Sequence, residues 1–535
     1  MYYLKPNAVA EPLINHWYAS LSLISPASAA MHFTFSHQKI MASYITAPQI
    51  HEMACRNPET MGGPFIDYPE RRVADIQCLL DNNKTELKDF IEFANSIKTL
   101  HSMLEKHPQG MSLEPLYSDI PDTMNGYIEL YYDLANRPHF RFIEALLYLG
   151  PLNTARLQSV TLSLTHQDYR PFCLSTPRLP SDSELSITLP FRHTFYDQLF
   201  HSREHALSAD DVHHLMVTAL GVNSPLQTPF TDLFTTEKPA STYQPLRCDE
   251  PLRIRYFGHA CILIESQQCA ILIDPALSYV YPSDSTRFTY ADLPEKIDYV
   301  ILTHTHQDHV LLEHLIQLRY KIGSIIVPAN VPGALQDPSL KLMLEDLGFT
   351  SVIALDEFEK KQLPEGYIQG LPFLGEHSDL HIHSKLIYLI NIAGIKILCT
   401  ADSNNFCHPI YENIHAAIGD VDLLFIGMEC IGAPLSWLYQ PLMLSSLTRE
   451  MDQSRRLNGS DFEKAKQIVD LFHCAQVYVY AMGQEPWLNY IMATQYTPQS
   501  APIVESDRLV AYCKANNIRS ARLFGAEEIN VDGLI

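Results

Sequence analysis

From residue 252 onward, short and almost wholly apolar runs recur with amphipathic stretches between them. "RIRYFGHACILIES", "CAILIDPAL", "IDYVILTH", "SIIVPAN", "KLIYLINIAG", "IKILCTAD", "VDLLFIGME" and "AQVYVYAMG" read as buried strands. "LLEHLIQLRY", "LKLMLEDLG", "FEKAKQIVDLFH" and "ESDRLVAYCKANN" carry apolar residues at helical spacing. Strands punctuated by helices predict sheets covered by helices, an α/β domain. Earlier in the chain, "KTELKDFIEFANSIKTLHSMLEKH" and "TMNGYIELYYDLANRPHFRFIEALLYL" read as helical and "SVTLSLTH" and "ELSITLPF" as strands, a mixed α+β region. The polar, proline-bearing "TTEKPASTYQPLRCDEP" separates the two. The expected division is therefore an N-terminal domain over residues 1–245 and a second domain over 246–535. No catalytic signature occurs in the first.

Composition narrows the partners. A chain of 535 residues exceeds what one core organises, in keeping with two domains. With 38 basic against 61 acidic residues and a formal charge of -23, binding to nucleic acid or anionic lipid is disfavoured. The 11 cysteines are scattered and include no CxxC pair, the usage of a reducing cytoplasm. "YASLSLISPASAAM" lacks the basic and continuous apolar regions of a signal peptide, and no run is long enough for a membrane span.

The chemistry concentrates in "ILTHTHQDHV". His304 and His306 stand two apart at a strand end, which aims both imidazoles the same way, and Asp308 and His309 continue onto the turn before the next helix. Buried imidazoles and carboxylates so close need partners, and such a loop presents ligands to two metal ions. Elsewhere, His201 and His205 in "HSREH" lack the glutamate spacing of HExxH, and "DDVHHLM" merely pairs His213 with His214.

With "GHACILIE", "ILIDP" and "CTAD" in the same order, "THTHQDH" resembles the metallo-β-lactamase superfamily over residues 252 to about 530. The resemblance implies a C-terminal αβ/βα sandwich with a metal site at one edge, and Asp402 as the carboxylate bridging two metals. Two departures matter. "LPFLGEHSDLHIH" offers Glu376 beside His377, and "VYVYAMGQEPW" has Met482 or Gly483 where the hydrolases carry a late histidine, for which His408, His415 and His473 are candidate replacements. These departures, with "FLGEHSD", "MEC" followed by "GAPLSWLY", "RRLNGSD" and "YAMGQEPWLNYIM", make the whole chain similar to the metallo-β-lactamase-fold diiron β-hydroxylases. Carried over, that resemblance gives one iron His304, His306 and Glu376, the other Asp308 and His309, and Asp402 as the bridge. His259 and His377 become candidates for orienting these ligands.

Three imidazoles and three carboxylates suit iron better than zinc: hard oxygen ligands stabilise Fe(III), and zinc has no redox chemistry to exploit them. Glu376 can also exchange two-oxygen for one-oxygen binding, a move closed to imidazole, and is the expected catalytic residue. The resemblance implies an oxo- or hydroxo-bridged diiron cofactor, O2 as co-substrate, and as substrate an aminoacyl thioester on a nonribosomal peptide synthetase carrier domain, hydroxylated at its β-carbon. It also implies a homodimer. With no GxGxxG fingerprint, electrons must come from a separate reductase or ferredoxin. Trp437, Tyr439 and Trp487 are candidate walls of a substrate tunnel or ordinary core aromatics, and Arg449, Arg455 and Arg456 a candidate carrier-docking patch. The N-terminal domain is left with dimerisation, capping or carrier docking, and the side chain hydroxylated stays open between aromatic and branched aliphatic. Competing readings are a dinuclear zinc hydrolase of an ester, thioester or lactone, a flavodiiron-type O2 or NO reductase, and a scaffold with a structural metal.

Overall fold

The two sheets of the C-terminal half follow from strict alternation along their strands. In Ala270–Ile273, Ile271 and Ile273 face one core and Leu272 the other; in Leu423–Gly427, Leu423 and Phe425 face one and Leu424 and Ile426 the other. Both faces of each sheet are thus apolar, which forces a layer onto each side. In this computed structural model, which describes every residue except 182, 183, 223, 532, 533 and 535, two seven-stranded sheets face each other. One runs from Val352–Leu355 through Ile322–Pro328, Ile297–Ile301, Ala270–Ile273, Cys261–Ser266 and Leu252–Gly258 to Glu527–Ile529. The other runs from Lys360–Leu363 through Gly366–Pro372, Leu386–Ile392, Ile395–Cys399, Leu423–Gly427 and Gln476–Tyr480 to Arg519–Arg522. Ile254, Ile264 and Ile273 of the first meet Tyr388, Ile397 and Phe425 of the second.

The central strands of each sheet are parallel: Ala270–Ile273, Ile297–Ile301 and Ile322–Pro328 in one, Ile395–Cys399, Leu423–Gly427 and Gln476–Tyr480 in the other. Their carboxyl ends gather at one edge of the sandwich, where an α/β sheet offers a binding site. Helices His408–Ile418, Phe462–Phe472 and Ala501–Ala515 cover the outer face of the second sheet. Over the outer face of the first, helix Leu312–Leu318 shares a core with the N-terminal region.

That region is built on a four-stranded sheet ordered Trp17–Tyr18, Ala8–Ile14, Gln158–Leu164 and Leu185–Ile187. Two sequence expectations are corrected here. "TMNGYIELYYDLANRPHFRFIEALLYL" is a β-hairpin, Ile128–Tyr132 with Pro138–Phe142, before a short helix Glu144–Leu149: the turn "DLANRP", with Asn136 at φ 57°, breaks what spacing alone reads as one helix. "RIRYFGHACILIES" is two antiparallel strands folded at His259, itself at φ 48°.

A buried polar network ties the two halves together. Glu313, fully buried on Leu312–Leu318, accepts from Arg170 Nη1 (3.0 Å) and Nη2 (2.8 Å), Tyr18 (2.9 Å) and Tyr279 (2.6 Å). Arg170 also reaches Glu11, which Arg178 holds at 2.8 Å, and its guanidinium lies 3.7 Å over the Tyr490 ring. Burial pushes the Glu11 carboxyl up, but Arg178 and Arg170 outweigh it and bring its pKa down to about 2. Arg170→Ala would strand the Glu313 charge and cost about 3–5 kcal/mol of stability, read from a urea midpoint. A loss below about 1 kcal/mol would show that the halves do not depend on this pair.

Candidate metal centre

Four of the six carboxyl-terminal strand ends at the shared edge each deliver one group. Ala270–Ile273 ends at Asp274, Ile297–Ile301 leads to His304, Ile395–Cys399 to Asp402, and Leu423–Gly427 to Glu429. The turn 306–309 adds His306, Asp308 and His309, and Glu376 comes from the loop after Gly366–Pro372. The structure therefore brings together all six residues expected as ligands. Ligand atoms of His304, His309 and Asp402 lie within 4.8 Å of one another, as do those of His304, His306 and Glu376, and of His259, Asp308 and His309.

Backbone strain marks the site. Glu376 sits at φ 68°, Asp274 at 39°, Ala401 at 44° and Ala481 at 54°, conformations that side-chain-bearing residues hold only where their surroundings impose them. Gly427 is a steric requirement of Asp402: a Cβ there would lie 2.4 Å from the Ala401 carbonyl and 2.8 Å from Asp402 Oδ1.

Each imidazole is oriented. Asp274 Oδ2 accepts from His309 Nδ1 at 2.8 Å and from the Thr303 hydroxyl at 2.6 Å, so His309 turns Nε2 to Asp402 Oδ2 at 2.9 Å. His306 presents Nδ1 to Glu376 Oε1 at 3.1 Å and Nε2 to the Tyr439 hydroxyl at 3.1 Å, and Tyr439 lies 2.6 Å from His377 Nδ1. His259 Nε2 is 3.1 Å from Asp308 Oδ2. His304 Nε2 and Asp402 Oδ1 are buried with no hydrogen-bond partner among the described residues.

Electrostatics point to cations as the missing partner. Burial, then Asp402, Glu429 and Asp308, drive the Glu376 carboxyl well above the carboxylate range, and burial with Asp402 and Asp308 raises Glu429 to about 8. Burial keeps His304 and His306 neutral, the form that binds metal. Four mutually repelling carboxylates, neutral imidazoles and orphaned ligand atoms fit a pair of multivalent cations.

Several expectations are corrected by position. Met482, 1% exposed, lies in the apolar core outside the second sheet, and none of the three candidate imidazoles replaces it: His408 faces Glu412, while His415 and His473 both contact Asp420. Of the three tunnel aromatics, Trp437 lines the cavity described below, Tyr439 serves the histidines, and Trp487 is buried under Arg287. Of the three arginines, Arg455 bonds the Ser378 carbonyl and Arg456 lines the cavity. Sequence reasoning missed Glu429, Asp274 and Tyr496, whose hydroxyl meets Glu429 at 3.3 Å. Asp274 follows the strand Ala270–Ile273 at once and Glu429 follows Leu423–Gly427 after Met428, a placement close to that of Asp402 after Ile395–Cys399.

The site opens into a cavity of about 1060 Å³ lined by His306, Asp308, Glu376, Asp402 and Glu429 from one half and by Tyr18, Phe65 and Phe172 from the other.

A family model described as "Diiron non-heme beta-hydroxylase N-terminal domain" matches residues 3–239, and a "Beta-lactamase superfamily domain" matches 253–437. A curated protein of Streptomyces venezuelae, 4-amino-L-phenylalanyl-[CmlP-peptidyl-carrier-protein] 3-hydroxylase, is 36% identical over 98% of both chains. The chain belongs to the diiron non-heme β-hydroxylases. The crystal structure of CmlA, a diiron β-hydroxylase from Streptomyces venezuelae, superimposes with a TM-score of 0.92 at 34% identity, covering 99% of each chain. A UPF0173 protein of Pyrococcus abyssi is 28% identical over 33% of this chain and 69% of its own. The family's fold, an α+β N-terminal domain before a metallo-β-lactamase sandwich, and its diiron cofactor both agree with the architecture and donor set described above.

Replacing Asp274 with Asn keeps its volume but weakens its hold on His309. Iron affinity should fall about 10- to 100-fold by equilibrium dialysis; unchanged affinity would mean that His309 needs no such support.

Proposed function

We propose that this enzyme is a monooxygenase that hydroxylates the β-carbon of an amino acid tethered as a thioester to a nonribosomal peptide synthetase carrier domain. One observation carries the choice of oxygenase over hydrolase: Glu376, at 3.1 Å from His306, stands where the hydrolases present an imidazole, in a chain that matches a carrier-bound aminoacyl 3-hydroxylase from end to end. None of His408, His415 and His473 turns to the centre either, so the zinc hydrolase reading lacks the late ligand expected for it.

On this reading His304, His306 and Glu376 would hold one iron and Asp308 and His309 the other, with Asp402 available to both. The diiron centre, when bound, supplies the O2 chemistry, and a separate reductase or ferredoxin supplies two electrons. The chain's own residues do the rest. Asp274 fixes the ring of His309, Tyr439 spans His306 and His377, and Gly427 leaves room for Asp402. Glu376, at φ 68° and lining the cavity, would be the carboxylate that exchanges two-oxygen for one-oxygen binding.

Residues 1–245 and 246–535 are proposed as the two domains, the first closing the cavity over the second. Support for a homodimer is the apolar surface of the N-terminal hairpin and the helix after it, where Leu134 and Leu149 are 107% and 84% exposed. Among the described residues no helix is long and apolar enough to cross a membrane; a carrier-bound substrate would place the enzyme in the cytoplasm beside a synthetase.

Under 18O2, with a ferredoxin system and a panel of carrier-bound aromatic and branched amino acids, one thioester should gain a single labelled oxygen at its β-carbon. Glu376→His should lower that turnover by about 100-fold or more. Full activity in this variant, or release of free amino acid without oxygen uptake, would contradict the proposal.

A further inference from the structure

One stretch of the cavity lining is a continuous helical segment of the N-terminal domain. Pro26–His32 and Gln38–Thr46 are α-helical and joined by a π-helical turn, Phe33–His37, a distortion that recurs at functional sites. His32, Phe35, Ser36, Lys39 and Ser43 line the cavity at three- and four-residue spacing, a single face of the segment. At 1.5 Å per residue this stripe is about 16 Å long. Exposure is graded along it: Lys39 and Ser43 are exposed, His32, Phe35 and Ser36 half-buried. His37, also on the cavity, is 5% exposed and stacked on Trp17 with ring centroids 3.7 Å apart.

The inner and outer ends differ in chemistry. His32 Nε2 and His37 Nδ1 are buried and without a hydrogen-bond partner among the described residues. Burial lowers the His32 pKa to about 4 and His37 well below its ordinary value, so both rings are neutral. A neutral imidazole carries one donor and one acceptor and suits amide and hydroxyl groups rather than an anion. Ser20 and Ser22 add hydroxyls to the same cavity. At the outer end Lys98 Nζ lies 3.6 Å above the Phe35 ring, and burial together with the adjacent Lys39 charge lowers its pKa. Lys39 on the cavity wall and Lys98 against the wall residue Phe35 are neighbouring cations, which on a chain of formal charge -23 favour an anion there.

We propose that this wall binds the phosphopantetheine arm of the carrier-bound substrate, with Lys39 and Lys98 at its phosphate and Ser36, His32 and His37 at its amides. The inference rests on the carrier-bound reading and assigns the N-terminal domain the task of threading the arm. The polarity gradient matches the arm's order of groups: phosphate outermost, then hydroxyl and amides, then the thioester toward Glu376.

The test uses the iron-loaded full chain with phosphopantetheine and pantetheine as probes, their binding followed by ligand-observed NMR. Phosphopantetheine should bind about tenfold more tightly than pantetheine. Lys39→Glu with Lys98→Glu should erase that gap and leave the optical spectrum of the centre unchanged, and Ser36→Trp should weaken both probes. Equal binding of the probes to wild type, or a gap that survives the charge reversal, overturns the proposal. Turnover of carrier-bound amino acid, measured alongside, separates the two levels. Wild-type hydroxylation with no phosphate preference removes the wall assignment alone; neither hydroxylation nor binding removes the carrier-bound reading with it.

Discussion

Asp308, Glu376, Asp402 and Glu429 share one low-dielectric cavity edge, and their mutual repulsion is the constraint on which this structure turns. Without cations, the protein meets it by raising Glu376 and Glu429 toward neutrality and by drawing Asp402 onto His309. Bound metal ions would remove the conflict and supply partners for His304 Nε2 and Asp402 Oδ1. The strained backbone at Glu376, Asp274 and Ala401 is held against this repulsion by the two sheets, whose apolar faces leave the strands no alternative register.

The rest of the architecture serves the same edge. Parallel strands bring their carboxyl ends together, and the N-terminal domain closes over the gap they leave. Its attachment is polar as well as apolar: Arg170 joins Glu11 of the N-terminal sheet to Glu313, four residues beyond His309. The helix that follows the metal loop is thereby anchored on the domain that walls the cavity, so cavity shape and ligand placement are held by one buried network.

How much of this was legible depended on how local each signal was. His304, His306, Asp308 and His309 stand within six positions and were readable from spacing, whereas Asp402, three residues past an apolar strand, was assigned through resemblance. Glu376 was readable only through resemblance, because its loop carries no periodic signal. Glu429 and Asp274 were overlooked although, like Asp402, they come within three residues of a strand end: a lone carboxylate there reads as a turn residue until a third dimension brings it to others. The N-terminal domain was least legible. Its sheet pairs Ala8–Ile14 with Gln158–Leu164, strands far apart in sequence, and the "ANRP" turn was hidden inside a run with helical spacing. The π turn at Phe33–His37 leaves no mark in residue type at all.

The central claim is that this donor set holds iron rather than zinc. It is tested most directly by metal analysis and Mössbauer spectroscopy of the full chain produced with 57Fe and zinc both present. The account predicts two irons per chain in an antiferromagnetically coupled, oxo- or hydroxo-bridged diferric pair. Two tightly held zincs that iron does not displace, with ester or thioester hydrolysis, would contradict it.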